Sequence, residues 1–100
     1  MKLGILVNTD RHLDDVLGIA HSALAQGHEV SLFLMDTGTH LAVRAGLVEL
    51  AGLPGVSVTL CDHSAKAHGI DKASLPASIG CRSQVQNALM NHRADRMLVL

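Results

Sequence analysis

Short apolar runs alternate with stretches of helical periodicity along this chain, and few architectures accept that pattern. Leu3-Gly4-Ile5-Leu6-Val7 is apolar throughout, as a central parallel strand must be. Asn8-Thr9-Asp10 offers turn and capping groups. Leu13, Val16, Leu17, Ala20, Ala23 and Leu24 then recur at helical spacing, and Gly27 ends that helix. Val30 to Met35 reads as a second strand, and Asp36-Thr37-Gly38-Thr39 as a loop. Leu41, Ala45 and Val48 mark a second helix, weakened by Gly46 and stopped by Gly52 and Pro54. Val56, Val58 and Leu60 alternate with polar residues, which predicts a strand with one buried face. A short polar helix follows and closes at Gly69, a residue suited to a left-handed C′ position. Ile70 to Gly80, with Ser74, Pro76 and Ser78, reads as an excursion or lid. Ser83 and Gln86 have the spacing of a capping box for a fourth helix, with Val85, Ala88 and Leu89 on its inner face. Met97 to Leu100 is a last strand.

This order predicts an α/β fold: a three-layer α/β/α sandwich, flavodoxin-like, with a mostly parallel sheet of about four to five strands and right-handed crossovers. One hundred residues suffice for a single domain, 1–100, around one core.

Composition removes several functional classes. The chain is 48% hydrophobic, but the excess lies in short Ala, Leu and Val segments, and no run is long enough to span a membrane. That surplus points to surface hidden in an oligomer. A net charge of −1, no basic block and one aromatic residue, Phe33, leave nucleic-acid binding without its electrostatic and stacking components. No Trp or Tyr is present to cover a flavin ring. The first residues run straight into a strand and lack a signal-peptide pattern, so the expected compartment is the cytoplasm. Cysteines there stay reduced unless their chemistry is redox or sulfur transfer. Asn8-Thr9-Asp10-Arg11 follows the first strand where a phosphate-binding glycine motif would stand, which argues against a dinucleotide or NTP enzyme. A phospho-receiver would need an Asp ending the third strand, where this chain has Cys61.

In such sheets chemistry gathers beyond the carboxyl ends of the strands. Three loops meet there. They bring Asn8, Thr9, Asp10 and His12, then Asp36, Thr37 and His40, then Cys61, Asp62 and His63. Cys61 falls at a strand-to-helix turn, where unpaired N–H groups and the helix dipole favour a thiolate. Lys66, His63 and His68 add positive charge nearby. The same position also suits a small buried hydrophobe, and His63 a solvated helix-start residue. Cys61 and Cys81 both lie near predicted helix starts without a CxxC spacing. They read either as a redox pair or with Cys81 as packing beneath the lid. The seven histidines, with Cys61, Asp10 and Asp36, would bind zinc only if His12, His40 and His63 converged in space. An oligomeric binding module is a further reading.

Val58-Thr59-Leu60-Cys61 is followed by Ser64-Ala65-Lys66-Ala67-His68-Gly69-Ile70. On this stretch above all, the whole chain resembles the DsrE/DsrF-like sulfur-relay family of small intracellular α/β proteins. It matches the family's Cys after the third strand and its small-residue helix ending in Gly and an aliphatic. Ala94-Asp95-Arg96-Met97-Leu98-Val99-Leu100 matches a closing Ala-Asp-x-x-apolar strand, and Asp10 and Asp36 also fit. Cys81 and the region from Thr39 to Leu53 depart from the pattern. The resemblance implies that Cys61 carries sulfur as a persulfide, with Asp10, Asp36, Asp62 and His63 in support. It implies no metal or organic cofactor, sulfur donor and acceptor proteins as partners, and a homotrimer or homohexamer.

Overall fold

In the computed structural model, which describes residues 1–100, the strands are β1 (Lys2–Val7), β2 (Glu29–Leu34), β3 (Val56–Cys61), β4 (Ile79–Arg82) and β5 (Arg96–Val99). They form one five-stranded sheet in the order β4-β3-β2-β1-β5, and every pairing is parallel. The helices are α1 (Leu13–Ala25), α2 (Ala45–Ala51), α3 (Asp62–Ala67) and α4 (Gln84–Arg93), with 3-10 helices at Asp36–Val43 and Lys72–Ser74. None is long and apolar enough to cross a membrane.

The layers follow from crossover handedness. From β1 to β4 the chain steps always toward the same edge, so right-handed connections put α1, α2 and α3 on one face. It then returns across the sheet to β5, which places α4 alone on the other face, packed on β1 and β2. The first face holds the main core. Leu3, Ile5 and Val7 of β1, Val30, Leu32 and Leu34 of β2, and Val58 and Leu60 of β3 all point into it. On the second face, Leu6, Phe33, Met35, Cys61, Met90 and Met97 form a smaller cluster.

Several local expectations change. A strand not expected from the sequence, β4, comes from Ile79-Gly80-Cys81-Arg82, so the lid segment ends by joining the sheet and Cys81 lies in a strand, two residues before the N-cap of α4. Four residues with one strong β-former carry too little periodicity to mark a strand. Asp36 to Thr39 is not an open loop but the start of the 3-10 helix, and extended Arg44 separates it from α2. Ser83 caps α4 by accepting from the Val85 N–H at 3.3 Å. Val85 and Leu89, however, are 65% and 38% exposed, and Ala88 is exposed too, while Met90 turns inward. The apolar positions Val85, Ala88 and Leu89 thus lie on the solvent side of α4, and the side toward the sheet carries Gln86 and Met90, with Ala94 at the C-cap. Gly69, at φ +70°, closes α3 as expected, with the Ile70 N–H returning to the Ala65 carbonyl at 2.9 Å.

The 3-10 helix passes close over the end of β1. A Cβ added at Gly38 would lie 2.3 Å from the Val7 carbonyl oxygen, a backbone atom that cannot turn aside. Gly38→Ala is expected to lower unfolding stability by about 1–3 kcal/mol, read as a reduced urea midpoint with unchanged slope.

Candidate functional site

The two-residue period of β3 aims Cys61. Val56, Val58 and Leu60 turn toward the main core, so Ser57, Thr59 and Cys61 turn toward α4. Cys61 ends the strand and occupies the N-cap of α3, only 2% exposed, among Phe33, Met35 and Met90. Gln84, the first residue of α4, covers it. The Gln84 Nε2 lies 3.5 Å from Cys61 Sγ and 3.9 Å from Met35 Sδ. Its carbonyl end is already engaged, since Asn87 Nδ2 donates to Gln84 Oε1 at 3.1 Å. Asn91 Nδ2 donates in turn to Asn87 Oδ1 at 2.9 Å. This ladder of amides along α4 leaves the Gln84 N–H as the group facing the sulfur. Sequence reasoning missed Gln84. Its one signal was the neighbouring cap Ser83, which places position 84 in a first helical turn without saying what lies beneath.

Burial pushes the Cys61 thiol up. The Ser64 amide and hydroxyl, the Gln84 amide and the His63 amide together outweigh that, and the thiol lies below the usual thiol range. Cys61 makes no side-chain cap hydrogen bond of its own, and the first-turn amides of His63 and Ser64 favour its thiolate instead. Cys81 goes the other way. Burial, then donation of its S–H to Asp62 Oδ1 at 3.3 Å, then the carboxylate charge all hold its proton on.

The two cysteines face opposite sides of the sheet. Cys81 pairs in register with Leu60 and packs with Leu60 on the main core, whereas Cys61 belongs to the α4-side cluster. A disulfide between them would require breaking the β3–β4 ladder, so the redox-pair reading fails on geometry.

Of the other candidates, Asn8, Thr9, His12, Asp36 and Thr37 meet around one open pocket of this edge, as the loop reading expects. Asp62 is paired with Lys72 of the lid's 3-10 helix. That contact, and then the Cys81 thiol, hold its carboxyl below the usual range, and the Lys72 ammonium is raised in return. Asp62 thus fastens the lid segment to the start of α3. Asp36, at φ +49°, sets Oδ1 2.9 Å from His68 Nε2. The His68 ring meets His40 edge-on at 5.5 Å. Asp10 and His63 are exposed. His12 pairs with Asp15 at 3.8 Å. No group of three or more His, Cys, Asp or Glu side chains is gathered to hold a metal ion, so the histidines do not converge as the zinc reading requires.

Comparison with known proteins gives a consistent relationship. A family model described as "DsrE/DsrF-like family" matches residues 1–100. No curated protein matches the chain. Among solved structures, the ychN protein of E. coli superposes with a TM-score of 0.83 at 20% identity, covering 100% of both chains. MTH1491 of Methanobacterium thermoautotrophicum, described as a protein of unknown function, gives 0.81 at 14% identity, covering 99% of this chain and 98% of its own. BT1422 of Bacteroides thetaiotaomicron, described likewise, gives 0.77 at 17% identity, with coverages of 99% and 94%. At such identities these structures speak for the fold.

The thiol's environment yields a measurable contrast. The pH midpoint of alkylation is expected below the ordinary thiol value for Cys61 and above it for Cys81. Gln84→Glu replaces a donor with a negative charge, so the Cys61 midpoint should rise by about one pH unit or more. Peptide-resolved alkylation across pH 6 to 10 reads both values, and an unmoved midpoint would show that the Gln84 amide does not act on the sulfur.

Proposed function

The chain belongs to the DsrE/DsrF-like family, and from that premise we propose that it is an intracellular sulfur carrier that relays sulfane sulfur as a persulfide on Cys61. The observation that supports this most is a single buried thiol whose donors, from α3 and α4, overcome the cost of burying its charge.

The chemistry needs a good nucleophile that is also a good leaving group. The Cys61 thiolate attacks the outer sulfur of a donor persulfide R–S–SH. The donor S–S bond breaks, R–S⁻ departs with the electron pair, and Cys61–S–SH forms. An acceptor thiolate then attacks that outer sulfur and releases Cys61 as thiolate. Sulfane sulfur moves without net oxidation or reduction, so the reading calls for no cofactor. The amides of His63, Ser64 and Gln84 stabilise the thiolate in both half-reactions. Gln84, exposed at the head of α4, is the side chain that must swing aside to admit the donor. Asp62 supports the site through its clamp on Lys72, and Asp36 by tying the end of α3 through His68. Asp10 and His63, exposed at the same edge, are offered as contacts for donor and acceptor proteins.

The exposed apolar residues Val85 and Leu89 on α4 and Val99 on β5 support self-association, with a trimer or hexamer expected from the family resemblance. Multi-angle light scattering should return a multiple of the monomer mass. Val85→Asp with Leu89→Asp should lower that multiple, and a wild-type monomer at micromolar concentration would refute the assembly.

After incubation with a sulfane-sulfur donor, intact mass should show one added sulfur that dithiothreitol removes. Cys61→Ser should abolish the gain and Cys81→Ser should retain it. Equal loading of Cys61→Ser and wild type would remove Cys61 as carrier. A folded protein in which Cys61 accepts no sulfur from any donor would favour the binding-module reading instead.

A further inference from the structure

Because α4 lies alone over β1 and β2, the neighbouring stretch of β2 and β3 on that face stays open. The opening is a cleft of about 250 Å³. Its floor is a patch of hydroxyls: Ser31 and Ser57 are register partners, and Thr59 follows on β3. The hydroxyl bonds within the chain are made elsewhere, by Thr9, Thr39, Ser64, Ser74 and Ser83. At the amino end of the strands stand Lys2 and Glu29, register partners on β1 and β2, with Arg93 from the last turn of α4. The ion pairs of the structure join His12 to Asp15, His68 to Asp36 and Lys72 to Asp62, which leaves all three of these charges without an internal partner.

The cleft leads toward the thiol. Cys61 stands two residues beyond Thr59 on the same face of β3, roughly 6.6 Å along the strand. Met90 lines the cleft and also packs against Cys61, so one flexible apolar side chain separates the two spaces.

We propose that this cleft binds a short-peptide thiol bearing two carboxylates and one ammonium, in its persulfide form, and presents it to Cys61. Two cations and one carboxylate complement a ligand with two carboxylates and one ammonium. Lys2 and Arg93 take the carboxylates, and Glu29 takes the ammonium. Ser31, Ser57 and Thr59 bond the polar body, and the sulfur end lies against Met90. The cleft's volume suits a small molecule rather than a protein segment. This deepens the carrier reading and rests on it for the transfer step. Cys61–S⁻ attacks the outer sulfur of R–S–SH, the new S–S bond of Cys61–S–SH forms as the donor's S–S bond breaks, and R–S⁻ leaves with the bonding pair, so no further oxidant or reductant enters.

Two measurements test it. The first is a chemical-shift titration of ¹⁵N-labelled wild type and Cys61→Ser with S-methylglutathione, which cannot transfer sulfur. Saturable shifts are expected at Ser31, Ser57, Thr59 and Arg93, with affinity reduced about tenfold or more by Arg93→Glu, which replaces a favourable charge contact with a repulsive one. The second compares loading of Cys61 from glutathione persulfide and from inorganic polysulfide. Arg93→Glu and Ser57→Val should slow the organic donor about tenfold and leave polysulfide loading unchanged. Absence of saturable binding, shifts confined to other surfaces, or equal slowing with both donors overturns the cleft. Binding in the cleft without loading from either donor sustains the cleft and removes the carrier reading.

Discussion

Everything distinctive about this molecule depends on the parallel ladder between β2 and β3 holding its two-residue period without a bulge. In an antiparallel sheet with one wet face, that alternation would only separate core from solvent. Here both faces are layered, and it separates two kinds of interior. Val30, Leu32 and Leu34 with Val58 and Leu60 give the first face a close-packed aliphatic core. Ser31, Ser57 and Thr59 make the second face polar up to the point where Phe33, Met35 and Cys61 close it off. A shift of one residue in the β3 register would bury Ser57 and Thr59 among leucines and turn the thiol away from α4.

The thiol's character comes from a contest between two effects of that second face. Enclosure by Phe33, Met35 and Met90 disfavours a charged sulfur, while the donors that ring it favour one. The donors prevail because they come from two separate elements whose first turns both face the sulfur, α3 through its backbone and α4 through Gln84. Cys81, on the other side of the same sheet, meets a carboxylate instead of amides, and its proton is held. Two cysteines of one chain, one strand apart, are thereby driven in opposite directions by what their neighbours donate or accept.

Residues whose structure is set by their own segment were legible in the sequence. The run Leu3 to Val7, the alternation Val56 to Leu60 and the helical spacing from Leu13 to Leu24 each predict the element that forms, within a residue or two. Gly69 and Ser83 mark their helix ends for the same reason. Cys61 was legible as a strand-end thiol because its place depends on that alternation alone. What stayed hidden depends on distant partners. Ile79 to Arg82 is a strand only because β3 offers it a free edge. The solvent-facing side of α4 follows from the return crossing over the sheet, not from its own pattern, which carries apolar residues on both sides. Gln84 and the cleft beside α4 follow from the same crossing. The failure of Cys81 to face Cys61 follows from the β4 register, which sets Cys81 beside Leu60.

The chain's return to β1 has a kinetic side. β1 is completed by residues from the far end of the sequence: Leu3 to Leu6 pair with Arg96 to Val99, and the Lys2 N–H is held by Asp95 Oδ2 at 2.7 Å. During synthesis the first strand made therefore waits for one of the last. Until β5 and α4 emerge, the strip of sheet around Gly4, Leu6 and Phe33 has no cover and one flank of β1 is an open hydrogen-bonding edge, the kind of surface to which chaperones and stray strands attach. The loop that must close is most of the chain, so the docking of β5 is the natural slow step of folding. The same step both seals the nascent protein against aggregation and assembles the cover over its thiol.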